Sequence, residues 1–371
     1  MVFLDIALYA FMGVVLIQVI FYLNIFGRFA FLKQKTSNKR SNTPVSVLVC
    51  AKNEAENLKT FLPSIIDQDY KNFEIVLIND GSHDDTLEVM ETFANQHENI
   101  KIVNVKPLET FWGNKKYPLT LGVKAATHNV LLFTDADCKP LSKHWISEMA
   151  SHFNSEKSIV LGYGAYDKIK NSFLNKLIRF ETLTAAISYF SFAKLGMPYM
   201  GVGRNLAYTK KQFFKVNGFM GHMNISSGDD DLFVNEAATN SNTAICFSEK
   251  SLTSSIPKKS FKDWYVQKRR HVSTAKYYKR NHKVLLALFY ITNVLFWGLA
   301  ILLLSVLYAP ILAICLILFR ITVQYIVYVF SAKKLHEKDL LPFLPFLEIF
   351  LITFQLAIFI SNKISKPKHW K

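Results

Sequence analysis

Four apolar stretches, one at the start of the chain and three near its end, constrain the fold most, since each nears the roughly twenty residues a bilayer crossing needs. They run from about Val2 to Phe26, Val284 to Tyr308, Ile311 to Phe330 and Leu340 to Ile360. The first lacks a basic start and a small-residue cleavage site, so it reads as an uncleaved anchor. Pro310 marks a tight break between the second and third. The expected order is an anchor over 1–27, a basic linker over 28–43 and a soluble domain over 44–257. A basic interfacial segment over 258–283, a membrane region over 284–361 and a basic tail over 362–371 follow. The middle part has room for one sizeable core.

The net charge of +16 is informative through its distribution. Arg28, Lys33, Lys35, Lys39 and Arg40 follow the first span, and ten Lys or Arg lie between Lys258 and Lys283 against one acid, Asp263. By the positive-inside rule both flanks face the cytoplasm, and so does the domain between them. Most of this charge is explained by topology and attraction to anionic headgroups. Nucleic acid is a poor partner, because the basic residues hug the spans and form no recognition pattern. Four crossings place Lys363, Lys366, Lys368 and Lys371 on the far side. The last stretch contains Pro342, Pro345 and Glu348, so it reads either as a fourth crossing or as a re-entrant or interfacial helix. Cys50, Cys138, Cys246 and Cys315 show no paired spacing, which implies no disulfide framework or zinc site and a reducing compartment.

Within the soluble part, strands alternate with helices. Strands are expected at Val45–Val49, Phe73–Ile78, Ile100–Val105 and from Val130 to Asp135, with helices over Glu54–Ile66, about Asp84–Asn95 and up to about Ala126. Such alternation predicts an α/β fold with a mostly parallel sheet flanked by helices. In such sheets ligands sit beyond the carboxyl ends of the strands. Lys52 to Glu54, Asn79 to Ser82, and Asp135 to Asp137 all fall there. Asn171 to Phe192 is helix-compatible and suits either the core or a membrane surface. Gly201-Val202-Gly203-Arg204-Asn205 lacks the third glycine and the early βαβ setting of a dinucleotide loop, and reads as a substrate-facing loop.

Asp135-Ala136-Asp137 holds two carboxylates one residue apart where a buried strand emerges. That arrangement suits a hard divalent cation shared with substrate phosphates. A second acidic cluster, Gly228-Asp229-Asp230-Asp231, and then Gln267-Lys268-Arg269-Arg270 follow.

These segments together resemble glycosyltransferase family 2. The resemblance covers roughly residues 44–275 and rests on several motifs. They are Val45-Ser46-Val47-Leu48-Val49-Cys50-Ala51-Lys52-Asn53-Glu54, Ile78-Asn79-Asp80-Gly81-Ser82-x-Asp84, Lys115-x-x-x-Leu119, Asp135-x-Asp137, the Gly228 cluster and Gln267-x-x-Arg270. It implies a GT-A fold and an inverting, nucleotide-sugar-dependent enzyme. Asn53, Glu54 and Asp80 would then hold the nucleotide, most often uridine, with Lys115 or Lys116 adding charge nearby. Mg²⁺ or Mn²⁺ would be bound chiefly by Asp137, with Asp135 nearer the ribose or sugar. Asp230 or Asp229 would be the base, since alignment on Gly228 favours the former and on Leu232 the latter; Asp230 ranks first. Gln267 and Arg270 would close over acceptor and diphosphate, although His271 stands where the family has tryptophan. That departure removes a stacking surface for a sugar polymer.

The expectation is therefore a membrane-bound transferase moving a sugar from a nucleotide-diphosphate donor to a lipid-linked or membrane-proximal acceptor. A processive polysaccharide synthase and an inactive transferase-like partner subunit are the alternatives. A bacterial cell membrane is the expected location, and a eukaryotic internal membrane with a cytoplasmic site is the other.

Overall fold

The computed structural model describes residues 2–33, 42–106 and 115–365. Lys35, Lys39, Arg40, Lys366, Lys368 and Lys371, part of the basic linker over 28–43 and residues 107–114 lie outside them.

Among the described residues ten strands are formed: β1 (Val45–Ala51), β2 (Phe73–Asp80), β3 (Ile100–Val105), β4 (Val130–Asp135), β5 (Cys138–Pro140), β6 (Ile159–Leu161), β7 (Gly164–Tyr166), β8 (Leu206–Thr209), β9 (Thr243–Ile245) and β10 (Thr253–Ser255). Seven make one sheet in the order β3-β2-β1-β4-β8-β6-β9. The first four are parallel, and β8 runs against both β4 and β6. A small sheet, β5-β10-β7, lies beside it.

The pleat explains why these runs became central strands. Val45, Val47 and Val49 pack with Ile75, Leu77, Leu132 and the Ala55–Ile66 helix on one face. Leu48, Val76, Ile78, Leu131 and Phe133 pack on the other, with Leu119 and Val123 of the Lys116–Ala125 helix. Both faces are covered, so the runs read as continuously apolar. Each such side chain contributes about 1.5–3 kcal/mol on burial.

Register sets the site. Cys50 of β1 pairs with Ile78 on one side and Asp135 on the other, and Ala51 pairs with Asn79. The ends of β1, β2 and β4 are therefore level, and Asp80 and Asp135 emerge at the same edge.

Among the described residues, four helical stretches are long and apolar enough to cross a membrane: Val2–Ala30, Arg280–Ser305, Pro310–Lys334 and Lys338–Ile364. The break before the third turns on Leu307 and Ala309 in left-handed conformations, with Pro310 at the first helical position. The last stretch, expected either to cross or to re-enter, is a 3₁₀ turn over Lys338–Phe343 running into a helix over Leu344–Ile364. Its Glu348 is tolerated because it meets Arg320, whose guanidinium donates to both carboxylate oxygens at 2.7 and 2.9 Å. The same guanidinium donates to Gln18 of the first helix, Asn293 of the second and Gln324 of its own. All four spans therefore meet at one charge.

The segment expected at the core or on a membrane surface forms the Phe173–Lys194 helix, and it is core. Leu177, Phe180, Leu183, Ile187 and Phe190 are buried, and so is Arg179, held by Glu337 and Asp339 at the junction of the last two spans. Helical wedging between sheet and spans hides several faces at once, which leaves no single polar stripe.

Candidate active site

The strand edge opens into one cavity of about 1550 Å³. It runs from Lys52, Asp80, Asp135 and Asp137 past Asp229, Asp230 and Arg270 to Phe289, Leu351 and Phe359 on the apolar helices. Pockets for one drug-sized ligand measure about 300–1,000 Å³, so this space is larger than one such ligand fills.

The loops after β1 and β2 are stitched together by their own side chains. Asn53, at φ +56°, donates its backbone N–H to Ser82 Oγ at 3.0 Å and accepts from the His83 N–H at 2.8 Å. Its amide is used on this turn, and Asn53 is not among the residues lining the cavity. Glu54 does line the cavity, and its carboxylate accepts from Asn57 at 2.5 Å. Asp80 lies 4.0 Å from Lys52, and burial holds its carboxyl above the usual range while Lys52 and Lys115 partly offset that.

The two adjacent lysines separate by direction. Lys115 donates to Asp135 and stands 3.8 Å from Asp229. Burial opposes its charge, but those carboxylates outweigh it and hold its pKa well above the ordinary value. Lys116 points the other way and donates to the carbonyls of His222, Ile225 and Ser227 at 2.7, 2.8 and 2.8 Å. It fastens the loop that presents the acidic cluster.

Asp137 is pushed up by burial and then by Asp135, whereas the Lys115 ammonium overcomes burial to hold Asp135 low. Carboxylate oxygens of Asp135 and Asp137 and the Cys138 sulfur lie within 4.8 Å of one another. The thiol is bonded to Ser255 Oγ at 2.8 Å and kept protonated by burial, so the two carboxylates are the donors. Two hard oxygens with crowded negative charge fit Mg²⁺ or Mn²⁺ completed by phosphate oxygens.

The three aspartates at the start of the Asp231–Ala237 helix diverge. Asp229 faces Lys115. Asp230 accepts from the Gly203 N–H at 2.8 Å and the Asp231 N–H at 2.7 Å. Burial, then Asp229 and Asp231, push its carboxyl up to about 7. Asp231 is consumed by Thr274 and Tyr278, whose hydroxyls donate to one of its oxygens.

Gln267 and Arg270 lie on the Phe261–Val272 helix, which starts on a Ser260 cap and stacks Trp264 on Phe354 at 4.2 Å between centroids. Arg269 leaves the site for Asn362 and Ser361, while Arg270 lines the cavity within the field of Asp229, Asp135 and Asp230. Gln267 borders the cavity, and its buried Oε1 has no hydrogen-bond partner among the described residues.

Arg204 is the residue that sequence reasoning placed only as part of a loop. Its guanidinium lies over Tyr166 at 4.1 Å, donates to Ala165 O and Ser255 Oγ, and faces Asp135 and Asp137. The glycine pair around it was the available signal.

The fold and site define a glycosyltransferase of the GT-A type. Residues 46–224 match the model for glycosyl transferase family 2, so the chain carries a domain of that type. It is 26% identical over 193 residues to the glycosyltransferase AglE of Haloferax volcanii, covering 50% of this chain and 58% of that protein. It is 34% identical over 93 residues to the cholesterol galactosyltransferase of Borreliella burgdorferi, a quarter of each. These matches span less than two thirds of either relative. Among solved structures, the mannosyltransferase PcManGT of Pyrobaculum calidifontis, in complex with GDP-Man and Mn²⁺, superposes with a TM-score of 0.60 over 91% of this chain and 96% of that one. At 17% identity that likeness shows the fold.

Proposed function

We propose that this protein transfers a sugar from a nucleotide-diphosphate donor, with uridine nucleotides the leading class, to a lipid or lipid-linked acceptor in a single inverting displacement. The observation that carries this is the continuity of one cavity from the carboxylate-lined strand edge to the apolar helices. An amphiphile seated between Phe289 and Phe359 brings its polar end to Asp230. The Borreliella relative supports a membrane acceptor, since cholesterol is one for that enzyme by its name.

Glu54, Lys52 and Asp80 surround the nucleotide end. Lys115 and Arg270 place positive charge where negative charge grows on the departing diphosphate, and Arg270 suits a two-pronged phosphate contact. Asp137, with Asp135, would hold Mg²⁺ or Mn²⁺, which supplies further neutralisation of that leaving group. Asp230 accepts the proton of the acceptor hydroxyl as its oxygen attacks the anomeric carbon. Its pKa of about 7 matches a base that works near neutrality. The two backbone N–H groups on it keep it aimed while it waits.

The test uses the chain purified with its lipids, a panel of uridine and guanosine diphosphate sugars, and Mn²⁺ or Mg²⁺. Guanosine donors are included because the structural neighbour holds GDP-Man. Nucleoside diphosphate release should need metal, select one donor and vanish in Asp137→Ala. No release with any donor, with the variant binding nucleotide as well as the parent, would favour an inactive partner subunit. Long polymer among the products would favour a processive synthase.

A further inference from the structure

The loop between the third and fourth apolar helices carries a buried carboxylate, Glu337, whose place is set by the way the third helix ends. After Lys334 the chain reverses at His336, which is left-handed at φ +59°. The Glu337 N–H then returns to the Ala332 carbonyl at 2.9 Å, the long bond of a Schellman turn. Glu337 and Asp339 both meet Arg179 of the Phe173–Lys194 helix. The guanidinium donates Nε to Glu337 at 2.9 Å and its two terminal nitrogens to Asp339 at 2.8 and 2.7 Å. Lys168 adds bonds to Asp339 and the His336 carbonyl at 2.7 and 2.6 Å.

Asp339 already pairs Arg179, and Glu337 has a second contact of its own. Its Oε1 accepts from the Tyr163 hydroxyl at 3.3 Å. Tyr163 is buried in the short link between β6 and β7, so it is anchored at both ends. Its side chain reaches the loop between the spans, and its carbonyl accepts from Asn205 Nδ2 at 2.9 Å. Asn205 is fully buried and has no slack. Its amide also donates to the Ser251 carbonyl at 2.7 Å and accepts from Trp145 Nε1 at 3.0 Å. The Gly162 N–H donates to the Asn205 carbonyl at 2.9 Å, and a Cβ on that glycine would stand 2.5 Å from the Asn205 side chain. Asn205 closes the turn whose Gly203 N–H holds Asp230 and whose Arg204 faces the Asp135–Asp137 pair.

A buried ion pair adds little net stability, because desolvation offsets its attraction, and its best-attested use is to fix the register of packed parts. We infer that Glu337 is a positioning residue for the sugar-transfer site: through Tyr163 and Asn205, the loop between the last two apolar helices sets the Gly203-Arg204 turn against Asp230. This rests on the transferase reading above, which takes Asp230 as the base. The contacts form one contiguous chain from loop to base, as coupling through packed groups requires. A shift of the last two apolar helices reaches Asp230 along the same chain, which ties the aim of the base to the packing of the spans.

Tyr163→Phe tests this, because it removes the hydroxyl and keeps the ring. Hydrogen–deuterium exchange of the full chain in detergent, with no substrate present, reads the Gly203 amide through peptides covering Tyr199 to Leu206. Exchange there should rise by roughly tenfold, the size expected from losing one hydrogen bond to a charged group. Strands β1 to β4 should keep the parent's protection. Asp339→Asn weakens the pairing of Arg179 without touching Tyr163, and should leave the turn as protected as in the parent. In sugar transfer, Tyr163→Phe should lower kcat by roughly ten- to a hundredfold with the donor KM unchanged, since the base is misplaced and the nucleotide end is not. Exchange is read without turnover, so its failure is separate from a failure of the transferase reading. Unchanged exchange at the turn in Tyr163→Phe would overturn the proposal. So would a rise spread over the whole sheet, or an equal rise in Asp339→Asn, since either would reduce the contact to general stability.

Discussion

The backbone N–H of Gly203 donates to Asp230 Oδ2 at 2.8 Å, so a glycine turn on one wall of the cavity orients a carboxylate on the other. The next residue, Arg204, faces Asp135 and Asp137. One turn thereby couples the acid pair to the candidate base, and the distance between the two halves of the chemistry depends on it.

Asp230 and Asp231 are adjacent yet should fail differently. Asp230→Asn keeps the shape and removes the proton acceptor, so turnover should fall by about 10²–10⁴-fold with the unfolding midpoint nearly unchanged. Asp231→Asn weakens the Thr274 and Tyr278 bonds, and its main effect should be on stability. Parallel nucleoside diphosphate release and thermal unfolding separate the two.

The pH profile follows from the raised Asp230 carboxyl. A base must be unprotonated, so kcat/KM should rise as pH increases through about 7 and fall below it. The groups facing it are Asp229 and Asp231 on its own segment and Lys116, Arg270 and Tyr208 from packed elements. Asp229→Asn removes one negative neighbour, lowers the Asp230 pKa and should move the acidic limb to lower pH. An unmoved limb would rule Asp230 out as its source.

Chelation should abolish transfer and added Mn²⁺ or Mg²⁺ should restore it. Asp137→Ala should raise the metal concentration needed beyond reach, while thermal stability without metal stays level or rises, because a buried like-charge pair has been relieved. Differential scanning fluorimetry with and without metal reads both.

Lys116→Met leaves three loop carbonyls without their donor. A cost of about 2–4 kcal/mol is expected from bonds to a charged donor. Activity should drop with it, since that loop carries the acidic cluster, whereas Lys115→Met should chiefly weaken nucleotide binding. Urea unfolding and nucleotide titration distinguish them.

Arg320→Met strands Glu348 among the four spans and should destabilise the protein by about 3–5 kcal/mol. The double variant Arg320→Met/Glu348→Leu removes both charges and should be less damaging than the single one. Unfolding in detergent, followed by near-ultraviolet circular dichroism, makes the comparison.

Much of this was legible from local pattern. The runs at Val45 and Val130 are apolar on both faces, as a covered parallel sheet requires, and each predicted strand formed, including those at Phe73 and Ile100. The edges moved slightly: β2 continues through Asn79 and Asp80, because pairing with β1 and β3 carries the ladder past the expected end at Ile78. Strands β5 to β10 were not readable, since three or four residues show no period and are held by tertiary pairing.

Sequence alone determined the α/β class, the four long apolar helices and the placing of carboxylates at strand ends, because these follow from period and length along the chain. Tertiary structure decided which side chains share the cavity. Successive residues at a helix start point about 100° apart, so Asp229, Asp230 and Asp231 reach Lys115, Gly203 and Tyr278, and Lys115 and Lys116 part in the same way. Asn53 faces the adjoining turn, where its side-chain oxygen accepts from the His83 N–H. Glu348 sits among the spans because a distant arginine neutralises it. Direction and partner are properties of packing, and no local pattern contains them.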